Sequence, residues 1–211
     1  MCRLNAQEQY DRILKTFDAI PLDGSISVLT GRNGSGKSLI RQQLTLRAKK
    51  LGKTVVHSSM ALRTGTHSHL GGLGCLVRDA PDSPTSYETF RSIQQAIRSI
   101  DGAYLCLDEI EIGCARETVM GLVGWLNEHL RAGVEGSLGC LVITHSEFVI
   151  KNLEHDNFFS LDGYNTEEEW VNRDIIPTDM EALGNDSREL FRFVSDRTRE
   201  KKEKRDANTK D

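Results

Sequence analysis

The chain has 211 residues, 38% of them hydrophobic and 27% charged, with a net charge of −4. That length can bury a substantial core, and that balance excludes wholesale disorder. The acidic pI of about 5.9 gives no global basic field for nucleic acid, no apolar run is long enough to span a membrane, and the charged N-terminal stretch MCRLNAQEQYDRILK lacks the apolar centre of an export signal.

The β-branched run at 25–30 (SISVLT) stops at Gly31 and predicts a strand. Apolar positions at 39, 40, 44, 46 and 51 predict a helix over 37–51, ended by Gly52. A second strand starts at 54–57 (TVVH), and the glycine- and proline-rich residues 64–85 read as loop. Phe90, Ile93, Ile97 and Ile100 predict a helix over 87–100. A buried strand follows at 103–107 (AYLCL), then a helix at 118–130 and strands at 141–144 and 158–161. Strands alternating with helices predict an α/β fold, with a mostly parallel central sheet flanked by helices. Beyond residue 162 the character changes. Residues 151–196 carry twelve acids and four bases, and 197–211 have mixed charge with no apolar face, which predicts a frayed helix end or a disordered terminus. The cysteines are Cys2, Cys75, Cys106, Cys114 and Cys140. Their odd number and lack of C-x-x-C spacing point to reduced thiols, as in the cytoplasm.

Gly31-Arg32-Asn33-Gly34-Ser35-Gly36-Lys37-Ser38 fits G-x-x-x-x-G-K-[ST] at every fixed position, between a predicted strand and a predicted helix. Glycines let consecutive backbone N–H groups face one concavity, which cradles phosphate oxygens. The helix start adds its positive dipole end. Lys37 supplies a point charge for the β- and γ-phosphates, and the Ser38 hydroxyl a hard oxygen for Mg²⁺.

Such a loop needs a metal-side carboxylate at the end of a neighbouring strand. The run YLCLDE delivers Asp108 to the C-terminal sheet edge, where parallel α/β proteins place ligands. Glu109 points differently and is the candidate to orient or deprotonate an attacking water. LVITHS repeats the geometry one strand later, so His145 faces the same site as a hydrogen-bond donor to a γ-phosphate or to the water.

The loop GRNGSGKS, the strand LCLDE and the switch VITHS, in this order, resemble the nucleotide-binding domain of ABC-type ATPases. The Asn33-Gly34-Ser35 interior is especially similar to the RecF-like and SMC-like branch, and NFFSLDG resembles the family's final strand and turn. Matching segments cover about residues 24–163, roughly two-thirds of the chain. The resemblance implies a P-loop NTPase domain over 1–163, an acidic extension over 164–196 that packs on the domain or docks a partner, and the charged tail 197–211. It implies ATP and Mg²⁺ as cofactors, with a nucleotide-binding set running from Gly31 to Leu39. It also implies ATP-driven head-to-tail dimerisation, in which a serine at a helix start caps the partner's γ-phosphate. Ser86, 22 residues before Asp108, is the candidate for that serine and equally a plain N-cap, because the family's glycines are missing.

Other departures shape the expectation. Only 49 residues separate Lys37 from Ser86, so the helical subdomain is reduced, and no glutamine follows the second strand. The stretch TGTHSHLGGLG, with His67 and His69, takes that place. Tyr10 and Phe17 are candidates to stack on adenine, or to pack in the core. These features favour a soluble motor or switch acting on a protein or nucleic-acid partner over a transporter subunit. Small ATPases of this type occur in phages, mobile elements, DNA repair and defence systems. The alternatives are a small-molecule kinase, for which Arg63 and Arg78 would serve a lid, and a nucleotide-dependent binding module with negligible turnover.

Overall fold

The computed structural model describes residues 5–59, 85–98, 102–135, 137–174 and 180–208. Five strands, β1 (Ile26–Thr30), β2 (Val55–Ser59), β3 (Tyr104–Asp108), β4 (Gly139–Ile143) and β5 (Asn157–Ser160), form one sheet in the order β2-β3-β4-β1-β5. Every pairing is parallel, so all five C-terminal ends lie on one edge. Parallel neighbours require crossover connections, and helices supply them. The helices are α1 (Ala6–Ala19), α2 (Lys37–Lys50), α3 (Thr85–Arg98), α4 (Arg116–Val134), α5 (Glu147–Asn152), α6 (Glu167–Val171) and α7 (Met180–Asn208). The chain is thus an α/β protein with a five-stranded parallel sheet between helical layers.

The period-2 alternation of the strands divides the core into two halves. Ile26, Val28, Leu105, Leu107, Cys140 and Val142 face α3, α4 and α5, which contribute Ile93, Leu122, Leu126 and Val149. Leu29, Tyr104, Cys106, Leu141 and Ile143 face α1, α2 and α7, which contribute Ile13, Ile40, Leu44 and Leu190. Cys106 and Cys140 are buried free thiols in these halves.

Two elements depart from the sequence expectation. The N-terminal stretch forms α1, opened by a capping box: Asn5 accepts the Glu8 N–H at 2.9 Å, and Glu8 accepts the Asn5 N–H at 3.0 Å. Tyr10 and Phe17 lie on this helix and pack with the α2 half of the core; Tyr10 meets Phe193 edge-on and Phe17 carries Arg47 over its ring. At the other end, where the sequence left open a frayed helix end or a disordered terminus, the structure has helix. The α7 helix runs unbroken to Asn208. Its Glu, Lys and Arg residues are strong helix formers, and Arg199 pairs with Asp196 and Glu203 one turn either side. In the acidic segment, Trp170 of α6 is buried in the core, with the Arg173 guanidinium 3.4 Å from its ring centroid. Thr64–Gly74, with His67 and His69, lies outside the described residues, as do Arg63 and Arg78. Among the described residues, no helix is long and apolar enough to cross a membrane.

His57 on β2 shows how tightly this core handles polarity. With Thr45 donating its only hydroxyl proton to the Arg41 carbonyl at 3.0 Å, His57 Nε2, 3.2 Å from the same oxygen, serves as the donor to it. Nδ1 is then a bare nitrogen, buried without a partner. Burial, reinforced by the nearby Arg41 cation, pushes the His57 pKa from 6.5 down to about 4. A folded-state pKa below the unfolded one means that stability is complete above about pH 6.5 and falls as the pH drops toward 4. Between pH 7 and 4.5, urea unfolding of the wild type should lose about 2 kcal/mol more than that of His57→Gln. Parallel losses in the two proteins would refute the buried neutral ring.

Candidate functional site

The strand order sets a row of groups along the C-terminal edge: Asp108 at the end of β3 and Glu109 after it, Thr144 and His145 after β4, the loop 31–36 after β1, and Asp162 after β5. The loop turns on Ser35 N–H donating to Arg32 O at 3.1 Å. Gly36 is the N-cap of α2 at φ 103°, a left-handed conformation that favours glycine, and a Cβ there would run into Ile13 Cδ1. At Gly34 a Cβ would strike Ser187 Oγ of α7. So α1 and α7 press on the outside of the loop, and Gln9 Nε2 ties to Gly34 O at 3.0 Å. No side chain caps α2, which leaves the Lys37 and Ser38 N–H groups of its first turn available to an anion, while the Leu39 N–H turns back to Gly36 O at 3.0 Å.

Lys37 is 8% exposed and its Nζ donates to the carbonyls of Gly31 at 2.9 Å and Arg32 at 3.2 Å. The ammonium therefore spans the mouth of its own loop. Burial lowers its pKa, opposed by Glu109, Asp162, Asp108 and Glu111. Ser35 Oγ is buried with no partner, and Arg32, Asn33, Gly34 and Ser38 are exposed around it. Leu39, half-buried, packs at the edge of the α2 half of the core. Asp162, buried, braces the base of the loop by accepting the Arg32 N–H at 3.0 Å and Arg32 Nε at 3.3 Å.

Glu109 is the one non-glycine residue with positive φ, 54°, among those described. Such a left-handed conformation costs about 1–2 kcal/mol for an ordinary residue. Two contacts hold it there. Its N–H donates to Ile143 O at 2.8 Å, extending the β3–β4 ladder, and its Oε1 lies 3.1 Å from His145 Nε2. Burial and the Lys37 charge lower the His145 pKa, against Glu109 and Glu111. The ring is therefore neutral near pH 7, and the contact is a hydrogen bond from Nε2–H to the carboxylate rather than a full ion pair.

Asp108 faces α2. Its Oδ2 accepts from Arg41 Nη1 at 2.8 Å. Burial raises its pKa, and the Arg41 cation acts in the opposite sense. Arg41 lies three residues after Ser38, so the two share a face of α2, and the ion pair sets Asp108 beside the first turn that carries Ser38. The Asp108 carboxylate and the Ser38 hydroxyl are hard oxygen donors of the type Mg²⁺ takes. Among the described residues no three His, Cys, Asp or Glu side chains form a metal cage, and Mg²⁺ requires none when phosphates complete its shell.

The structure thus brings Lys37, Asp108, Glu109 and His145 to one edge. Ser86 lies in the first turn of α3, but its side chain is outside those described. Sequence reasoning missed three contributors. Arg41 and Asp162 gave no local signal, since their partners are far along the chain. Glu111 was visible in DEIEIG but had no assigned role. Its Oε1 accepts the Thr144 hydroxyl at 2.6 Å and the His145 N–H at 3.0 Å, anchoring the turn that aims His145.

No protein-family model matches the sequence, and no curated protein matches it. Among solved structures, the chain is similar to the DNA-packaging ATPase from Sulfolobus turreted icosahedral virus, at 16% identity and a TM-score of 0.36, over 63% of this chain and 73% of that one. It is also similar to PCH-2 of C. elegans, at 13% identity and a TM-score of 0.36, over 76% of this chain and 41% of that one. Likeness at this level carries no argument about activity, so the functional reading rests on the site itself.

The Glu111 anchor is testable on the fold alone. Glu111→Ala removes two bonds to a carboxylate and strips the buried Thr144 hydroxyl of its acceptor, which should destabilise the protein by about 2–3 kcal/mol. Glu111→Gln keeps an acceptor oxygen and should recover most of that in chemical denaturation. Equal losses in the two variants would show that the anchor contributes nothing specific.

Proposed function

We propose that this chain binds Mg-ATP and hydrolyses it. The observation that carries the reading is the convergence, on one sheet edge, of a buried Lys37 at an uncapped helix start with Asp108, Glu109 and His145. Loop amides, the α2 dipole and Lys37 bind the phosphates. On arrival of the anion, Lys37 exchanges the loop carbonyls for β- and γ-phosphate oxygens. Asp108 and Ser38 hold the Mg²⁺, which neutralises phosphate charge when bound. Glu109 accepts the proton of the attacking water, and its strained backbone aims the carboxylate at the γ-phosphate side. His145 steadies Glu109 before the reaction and donates to the γ-phosphate or the water during it.

The resemblance to ABC-type ATPases supports a finer reading. Two copies bind head to tail across ATP, with Ser86 at the start of α3 as the residue offered in trans, and hydrolysis opens the pair. The protein then acts as a switch or motor on a protein or nucleic-acid partner, in a DNA-repair, mobile-element or phage-defence role. The exposed Phe191 of α7 is available to that partner.

Glu109→Gln should retain Mg-ATP while turnover drops by about 100-fold or more, and light scattering of that variant should show ATP doubling the mass. Lys37→Ala should lose nucleotide binding. Phosphate transferred to an added small acceptor, with little release to water, would replace the hydrolase with a kinase. Unaltered turnover in Glu109→Gln would remove the glutamate from the chemistry, and a monomeric mass with ATP bound would remove the dimer alone.

A further inference from the structure

The Arg41–Asp108 pair is not accounted for by the site's chemistry. Asp108 has its Oδ2 held at 2.8 Å by a guanidinium that is 25% exposed, while Asp108 itself is 17% exposed. The α2 helix does not need the Arg41 side chain for packing, because Ile40, Leu44 and Ala48 bury it against the sheet. What the guanidinium does is neutralise the carboxylate beside Ser38, on the helix face those two α2 residues share. A divalent cation reaching Asp108 meets a carboxylate already engaged by a cation.

We propose that Arg41 is a placeholder for the metal: it holds the Asp108 carboxylate in position while no divalent cation is present and must be displaced before one binds. This rests on the reading of Asp108 as the metal-side carboxylate. Arg41 is a positioning residue and takes no part in the chemistry. Its two effects oppose each other. It keeps a partly buried carboxylate ordered and compensated, and it raises the metal concentration at which the site loads. The site then loads metal and nucleotide together, since phosphates supply the remaining oxygens that favour the exchange.

The test uses the full chain with a non-hydrolysable ATP analogue at saturation, titrated with Mn²⁺ while free Mn²⁺ is read by electron paramagnetic resonance. Arg41→Gln should bind Mn²⁺ about tenfold more tightly than the wild type, the scale of one lost hydrogen bond to a charged group. Arg41→Lys, which keeps a cation on a shorter reach, should fall between the two, and it carries the test if the glutamine variant does not fold. Unchanged or weakened Mn²⁺ binding in these variants would overturn the placeholder. Asp108→Asn separates this from the underlying reading. If it loses Mn²⁺ affinity while Arg41→Gln changes nothing, Asp108 is the metal carboxylate and only the placeholder fails. If it binds Mn²⁺ as the wild type does, the metal reading of Asp108 fails and the placeholder falls with it.

Discussion

The position of β4 between β1 and β3 is the constraint on which the site depends. Ile143 O accepts the Glu109 N–H at 2.8 Å, and Thr144 N–H donates to Leu29 O at 3.1 Å. One strand end therefore ties the acidic pair to the strand that feeds the phosphate loop. Because the ladder spacing is fixed by backbone hydrogen bonds, the separation between loop and carboxylates is set by the sheet and not by side-chain choice. A strand between them also provides a place for His145, which no direct β1–β3 pairing would offer.

The edge combines rigid and strained parts. Thr144 is fully buried and its oxygen serves two partners, donating to Glu111 and accepting the Ser146 N–H at 2.9 Å. Glu109 stands beside this rigid turn in a left-handed conformation. Such strain persists only where the surroundings over-determine it. The ladder bond on one side and the His145 ring on the other do so here. A carboxylate held in this way loses little entropy when it orients a water, which is the property general-base chemistry asks of it.

The legibility of the molecule in its sequence follows the range of each interaction. The phosphate loop is a contiguous motif whose geometry comes from its own glycines, so eight residues were enough to place it. Asp108, Glu109 and His145 were legible because an apolar strand must end at a sheet edge, and the residue after its end must face that edge. The α1 helix was missed although Asn5 and Glu8 carry a capping-box signature, because its apolar positions are too sparse to stand out among charges. The tail of α7 was left between a frayed helix end and a disordered terminus because a helix without an apolar stripe resembles a disordered segment in composition alone. Arg41 and Asp162 were illegible for a different reason: their meaning lies in partners 67 and 130 residues away, and only the folded sheet brings them together.

That last group decides how the site meets a ligand. Lys37 is engaged by loop carbonyls, Arg41 by Asp108, and Arg32 by Asp162. Each of these three cations has a partner within the protein. On the proposed reading, phosphate binding is therefore an exchange, and its free energy is a difference between two sets of contacts rather than the sum of new ones. The exchange is unequal across the three. Lys37 gives up neutral carbonyls for charged oxygens and gains strongly. Arg32 is largely exposed, so its pair with Asp162 contributes little beyond bracing the loop. In the proposed exchange Arg41 leaves a carboxylate, and a polyanion without a metal offers no replacement charge to that carboxylate. On the proposed reading, the arrangement favours the metal–nucleotide complex over free nucleotide, because Arg41 leaves Asp108 only where another cation takes its place.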